Sequence, residues 1–207
     1  MTNLAAMVQT IRQYGVVDVR VVRAMEQVDR QVFVPRRWSG NAGLAYEDRA
    51  LPIGFDQTIS QPYTVARMIE LLVAGLTSQK LHRSRVLEIG TGSGWEACIL
   101  AKLFKQVYSV ETVRQLADQA RQVIADLKVG NIKIKVGDGK LGWPDHAPYQ
   151  GIIVAADATE IPPALVEQLA EGGRIVIPVN SEMQRGIKSN GEVAWESFGS
   201  FSFVPLV

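Results

Sequence analysis

The stretch Arg85 to Gly94, RVLEIGTGSG, limits what this chain can become more than any other. Val86, Leu87 and Ile89 give a short buried-strand signal. Gly90, Gly92 and Gly94 make a glycine-dense turn, and a helical pattern starts at Trp95. The run VYSV then reads as a second strand that ends at Glu111. A strand, a glycine turn, a helix, a strand and a terminal acid are the parts of a nucleoside-binding α/β half-domain. The glycines let a ligand approach backbone that a Cβ would block. The acid can accept hydrogen bonds from both hydroxyls of a ribose.

The rest of the chain extends this pattern. Strands are expected at 85–90, 106–111, 132–136, 150–155 and 173–178, and helices at 62–75, 94–104, 112–128 and 161–170. Such alternation implies a parallel sheet covered by helices on both sides. The helix at 112–128 carries Leu116, Ala120, Val123, Ile124 and Leu127 on one face, and Gly130 is expected to stop it. Two further helices, 3–14 and 18–28, are separated by Gly15, with Asp18 as N-cap of the second. Residues 33–61 read as an irregular region with Pro35, Gly40, Gly43, Pro52 and Gly54, yet rich in large side chains. A loop of that kind packs on something, as functional loops do. At the other end, KSNG at 188–191 holds an Asn-Gly hairpin signal between strand-like segments 184–188 and 192–204. The expectation is one α/β domain in three parts. Residues 1–80 form N-terminal helices and an active-site loop, 81–180 the cofactor-binding core, and 181–207 a C-terminal antiparallel hairpin.

Composition narrows the chemistry. Hydrophobic residues make up 47% of the 207 and charged ones 21%, enough for a sizeable core and against disorder. A formal net charge of +1 offers no global field to hold a nucleic acid backbone. Cys98 is the sole cysteine, which excludes an internal disulfide and is read as a small buried hydrophobe. With His82 and His146 the only histidines, a histidine–cysteine metal centre is not expected. No secretory signal and no run of ~18 apolar residues is visible, so the expected location is the cytoplasm.

The glycine spacing bears on the ligand. Dinucleotide dehydrogenases favour GxGxxG, with room for a pyrophosphate, whereas this chain has GxGxG at 90–94. A third element, Gly137-Asp138-Gly139, follows the third strand of the alternating core, and Asp138 there could face an adenine amino group. Each element also has a plain reading: a tight turn, a helix cap and a turn aspartate. Three in register favour S-adenosylmethionine, a nucleoside without phosphates, with NAD as runner-up.

With these segments in view, the chain resembles the protein-L-isoaspartate O-methyltransferases over almost its whole length. The likeness is carried by VRAMEQVDRQVFVP (22–35), AYEDRALPIGFDQTISQPYTVARM (45–68), the glycine turn, Val107 to Glu111, Gly137 to Gly139, IPPALVEQLAEGGRIVIPV (161–179) and FVPL (203–206). The QTISQP block is the most specific of these. The resemblance implies a Rossmann-like, S-adenosylmethionine-dependent methyltransferase fold: a mostly parallel sheet with the C-terminal antiparallel hairpin and N-terminal helical additions. It also implies methyl transfer to the α-carboxylate of L-isoaspartyl residues in damaged proteins and peptides, which initiates their repair. By matching positions, Ser60 is the active-site serine. Gln57, Thr58 and Ile59 share its loop, and Tyr63 stands near the cofactor. Gly90, Gly92, Glu111, Asp138 and Gly139 match cofactor contacts, and Gln184 matches a C-terminal glutamine less surely. Departures from the family pattern fall at Gln150-Gly151, Ala155-Ala156-Asp157, the segment after Glu111, and Asn180. Ala155 and Asp157 are expected on the pocket rim, where an added carboxylate would change the attraction for an anionic substrate.

The implied chemistry asks little of the protein. A carboxylate with a pKa of about 4 is already ionised at neutral pH, so the nucleophile needs no base. Ser60 then reads as an orienting donor, since no G-x-S-x-G elbow or nearby histidine would activate it as a nucleophile. The plainer reading is that it caps the helix starting near Pro62. Glu88 interrupts an apolar strand and is read as a supporting cofactor-site residue. It accepts a bond from the donor's amino group or a bridging water, or satisfies backbone donors of the turn. Tyr46, Asp48 and Phe55 either line a peptide groove or pack their own loop. Trp38, Trp95, Trp143 and Trp195 read as core or rim packing. Competing readings are a same-fold methyltransferase on another carboxylate or a small molecule, a cofactor-binding member without turnover, and, distantly, an NAD oxidoreductase. Partners are expected to be isoaspartyl proteins and peptides, with neither nucleic acid nor membrane, and a monomer is favoured.

Overall fold

Five runs form the parallel part of one sheet: Arg85–Ile89 (β3), Gln106–Glu111 (β4), Ile132–Val136 (β5), Tyr149–Val154 (β6) and Leu169–Val179 (β7). The computed structural model describes residues 3–35 and 43–207; Trp38 and Gly40 lie outside them. Glu182–Ser189 (β8) and Glu192–Ser200 (β9) add antiparallel to β7, and the strand order is β5-β4-β3-β6-β7-β8-β9. Helices Trp95–Leu103 (α5), Arg114–Asp126 (α6) and the short Pro163–Glu167 (α7) connect the parallel strands. Before them come Asn3–Gln13 (α1), Val19–Glu26 (α2), Pro62–Val73 (α3) and Ser78–Leu81 (α4).

Successive residues of a strand face opposite sides of a sheet, so a strand buried on both faces is apolar throughout. β3 shows this. Val86 joins a core with α1, α2, α3 and α5, while Leu87 and Ile89 join a second core with Ile152, Val154 and Leu165 on the other face. Strand order reverses beside β3: β4 and β5 lie to one side, β6 and β7 to the other. A crevice forms at the carboxyl ends of strands at such a reversal, and α/β proteins bind ligands there.

Asp18 caps α2 as expected, accepting from the Arg20 amide. Four expectations need correction. The region 33–61 is not wholly irregular: Leu51–Gly54 (β1) and Gln57–Ile59 (β2) pair as a hairpin, with Phe55 and Asp56 at φ 53° and 56° in its turn. Left-handed residues suit a tight hairpin, but neither is the glycine that usually signals one. Second, α7 ends at Glu167 because Leu169 already pairs with Tyr149, so β7 starts before the expected 173. Third, α6 stops at Asp126, and Lys128, at φ 54°, takes the left-handed place expected near Gly130. Fourth, β9 ends at Ser200, short of the expected 204. The segment after it returns across the sheet end, where the Asp157 amide donates to Val204 and the Leu206 amide to Asp157. Among the described residues, no helix is long and apolar enough to cross a membrane.

Candidate active site

At the end of β3 the chain turns through Gly90, Gly92 and Gly94, with φ of 93°, 52° and 85°. These values lie where side chains with a Cβ rarely go, which accounts for the glycines. Neighbouring strands hold the turn. The Gly90 amide donates to Val110 O and the Ala155 amide to Ile89 O, both at 2.9 Å. The Glu111 carboxylate completes the hold: Oε2 accepts from the Gly92 amide at 2.8 Å and Oε1 from the Val113 amide at 2.9 Å. Opposite them, a Cβ on Gly139 would stand 2.4 Å from Ile89 Cγ2. The result is a cleft of about 780 Å³, its open mouth included, walled by Gln57–Ser60, Gly90–Ser93, Glu111, Gly139, Ala155 and the C-terminal residues Val204–Val207.

The wall carrying Ser60 is fastened from below. Arg30 is fully buried, and its guanidinium donates to the carbonyls of Ala45 (2.7 Å), Arg49 (2.9 Å) and Ser60 (2.9 Å). It also lies 5.2 Å from the Trp95 ring, whose Nε1 donates to Val28 O. One planar cation thus collects carbonyls from both ends of the 45–60 segment. Burial lowers its pKa to about 10, so it stays charged at neutral pH. Asp48 secures the next helix. Its Oδ1 accepts from the Tyr63 amide at 2.8 Å and its Oδ2 from Gln61 Nε2 at 2.8 Å. The capping role weighed for Ser60 is therefore filled by Asp48, and the Ser60 hydroxyl makes no hydrogen bond among the described residues.

Ser60, Thr58, Ala155 and Val204 also border a second cavity, lined further by Tyr63, Phe198, Phe201 and Phe203. Ser60 thus sits on the wall between two adjoining spaces, one over the glycine turn and one beside the C-terminal aromatics.

Two buried acids underlie the first space. Glu88 on β3 accepts from Ser109 Oγ, which also meets Thr91 Oγ1, and its Oε1 has no partner. Glu96, in the first turn of α5, lines the cleft, and its Oε1 likewise has none. Burial pushes the Glu96 carboxyl up to about 8. Burial and then the neighbouring Glu96 hold Glu88 well above the usual carboxylate range. Cys98, 1% exposed, is raised to about 12, chiefly by burial, and is the inert hydrophobe expected.

Of the residues singled out from the sequence, Gln57, Thr58, Ile59, Ser60, Gly90, Gly92, Glu111 and Gly139 line the first cleft. Tyr63 lines the second cavity instead, edge-on to Tyr14 at 5.5 Å and stacked with Phe201 at 6.3 Å. Glu88 lies beneath the cleft. Asp138 is exposed and caps the Gly139–Leu141 turn by accepting from the Lys140 amide. Gln184 pairs with Ile177 in the sheet and lines neither space. Ala155 is a wall residue as expected, but Asp157 lines neither space, and its carboxylate accepts from the Ser181 amide at 2.9 and 3.0 Å. Tyr46 bonds Asp29, and Asp48 caps α3, so both pack their own loop. Trp95, Glu96 and Val204–Val207 were not foreseen as site residues. FVPL was noted only as a matching segment, and local pattern does not show that it folds back over the sheet end.

Comparison with known proteins adds a family. The family model described as Protein-L-isoaspartate(D-aspartate) O-methyltransferase (PCMT) matches residues 2–207. The protein-L-isoaspartate O-methyltransferase of Azoarcus sp. (strain BH72) is 49% identical over 206 residues, covering 98% of this chain and 92% of its own. That of Alkalilimnicola ehrlichii is 44% identical, covering 97% and 90%. A solved protein-L-isoaspartate O-methyltransferase superposes with a TM-score of 0.85 at 26% identity, over 98% of this chain and 65% of the other. The fold also matches a Plasmodium falciparum beta-aspartate methyltransferase in complex with S-adenosyl-L-homocysteine, with a TM-score of 0.86 at 24% identity over 100% and 99%.

Proposed function

This chain belongs to the protein-L-isoaspartate O-methyltransferase family, and from that premise we propose that the cleft over the glycine turn takes the cofactor while the adjoining cavity admits the acceptor. The protein is an S-adenosylmethionine-dependent methyltransferase that esterifies L-isoaspartyl residues of damaged proteins, the opening step of their repair. The observation that carries the assignment of roles is the position of Ser60 on the wall common to both spaces.

The residues present fit the cofactor. Gly90 and Gly92 leave backbone bare where a nucleoside would lie, and Glu111 ends β4 beside them as the ribose acceptor. Glu88 offers a buried oxygen, unpartnered among the described residues, toward the amino-acid end. When bound, S-adenosylmethionine supplies a methyl carbon on a sulfonium, which passes to a carboxylate oxygen as the carbon–sulfur electron pair returns to sulfur.

The chain's own residues supply placement. The acceptor carboxylate is ionised at neutral pH, so no group has to remove a proton. Arg30 holds the Ser60 backbone, and the free Ser60 hydroxyl donates to the acceptor and orients it. Thr58, Ile59 and Val204–Val207 cover the cleft and exclude water, which strengthens the polar contacts within it. Ordered placement can be worth up to ~7–11 kcal/mol in ideal cases, enough for a site without a catalytic base. Tyr63 and the Phe201 ring form the acceptor's approach. Damaged proteins and peptides are the partners. The same reading takes the protein as a cytoplasmic monomer without a nucleic-acid partner, the last supported by a net charge of +1.

Tritiated methyl transfer to a synthetic isoaspartyl peptide, beside its aspartyl twin, tests this. Base-labile label on the isoaspartyl form alone is expected; equal labelling of both, or none, overturns it.

A further inference from the structure

Glu96 is the one charged side chain of the cleft that the mechanism leaves idle. It is 7% exposed, lines the cleft within the first turn of α5, and leaves Oε1 buried without a hydrogen-bond partner. An acid of that kind costs stability unless something meets it. The charged groups of the surrounding elements do not. On β3 its neighbour is another acid, Glu88, which Glu111 at the end of β4 also holds up. On β5, Lys133 and Lys135 lie over the rings of Tyr108 and Trp143. On α2, Arg20 is paired with Asp18, while Arg23 and Glu26 face solvent. Further along α5 stand the buried Cys98 thiol and Lys102, and Arg30 is spent on loop carbonyls. The unmet demand around Glu96 and Glu88 is for a cation, and the opening toward one is the cleft.

We propose that Glu96 is a cation-binding residue of the cofactor cleft, its carboxylate receiving the primary ammonium at the amino-acid end of the cofactor beside Glu88. The proposal rests on the reading of that cleft as the cofactor's. It assigns the two acids one task, which their orphaned oxygens support. A carboxyl raised to about 8 is mostly protonated in the empty protein near neutral pH. An arriving ammonium favours the ionised form, so the carboxyl proton leaves to solvent as the cation binds. Affinity therefore rises as pH rises toward that value. The chemistry also separates ligands: a thioether nucleoside with its ammonium is held, and one lacking only the amino group is not.

Calorimetry with S-adenosylhomocysteine and its deamino analogue, at about pH 6 and about pH 7.5, tests this. For the unaltered protein, S-adenosylhomocysteine should bind on the order of tenfold more tightly at the higher pH and release protons, while the deamino analogue shows neither effect. Glu96→Gln keeps the shape and removes the charge. It should weaken S-adenosylhomocysteine by roughly tenfold, flatten its pH dependence and leave the deamino analogue unchanged. Equal weakening of both ligands, or an unchanged pH profile in the variant, overturns the proposal while leaving the cleft's assignment standing. Failure of either ligand to bind the unaltered protein overturns that assignment and this proposal with it. Should the variant not fold, proton release by the unaltered protein decides: none on binding S-adenosylhomocysteine refutes the role.

Discussion

The Arg30 guanidinium donates to the backbone carbonyl of Ser60 at 2.9 Å, so a residue thirty positions earlier fixes the height of the serine over the cleft. Ala45 and Arg49 share the same donor group. Lysine cannot reach three diverging carbonyls from one point charge. Arg30→Lys is therefore expected to lower kcat more than it weakens S-adenosylhomocysteine binding. Arg30→Met, which strands those acceptors, should cost at least about 3 kcal/mol in a denaturant titration, at ~1–3 kcal/mol per lost buried bond. Wild-type stability in Arg30→Met would show that the guanidinium is not what fastens the segment.

Glu111 holds the glycine turn through Gly92 and is the proposed ribose acceptor. Glu111→Ala should weaken S-adenosylhomocysteine by more than about tenfold, from loss of charge-assisted contacts worth ~1.5–3 kcal/mol. An unaltered dissociation constant by calorimetry would speak against the ribose assignment.

The Ser60 hydroxyl has no partner among the described residues and no capping duty, since Asp48 caps α3. Ser60→Ala should leave both melting temperature and cofactor affinity nearly intact. Turnover of an isoaspartyl peptide should drop by about tenfold, the value of one net hydrogen bond near 1.4 kcal/mol. Full turnover would remove the serine from the mechanism.

The Asp157 carboxylate grips Ser181 at a turn where Asn180 and Ser181 both take positive φ, 50° and 65°. Its backbone pairs with Val204 and Leu206, which wall the cleft. Asp157→Ala should lower stability by roughly 1 kcal/mol and loosen S-adenosylhomocysteine modestly. No preference among acidic and basic acceptor peptides should change, because Asp157 lines neither space. A shift in that preference would restore Asp157 to the substrate rim.

The raised carboxyl of Glu96 also bears on stability. Its folded value near 8 exceeds the ordinary 4.5, so the folded chain binds more protons than the unfolded one between those pH values. Its contribution is fully present below about 4.5 and lost as pH rises through about 8. Glu96→Gln should reduce this downward slope in urea titrations across that window, the raised Glu88 carboxyl supplying the remainder. An identical slope in the variant would mean that Glu96 is ionised in the empty protein.

The parts of the fold that follow local periodicity were legible in the sequence. β3, β4 and β5 fall within a residue of their expected limits, and Gly90, Gly92 and Glu111 meet as the strand–turn–strand order implies. What escaped was set by tertiary contact. The β1–β2 hairpin turns on Phe55 and Asp56, which carry no glycine signal, and α7 is cut short by pairing of Leu169 with Tyr149. The role of Arg30 could not be read from spacing, because its partners are backbone atoms distant in sequence. Glu96 stands in a first turn, where an acid is ordinary, and only burial against the cleft distinguishes it. The Asp157 carboxylate, expected on the pocket rim, is held instead at the Ser181 turn, which adjacent residues do not announce.

Trp95 is 1% exposed, stacked under the Arg30 guanidinium, and forms part of the cleft floor. An indole in that position is expected to change its emission if an adenosyl group fills the cleft as proposed. The protein thus contains a native fluorophore at the place where occupancy matters, so titrations can be followed optically on unlabelled material.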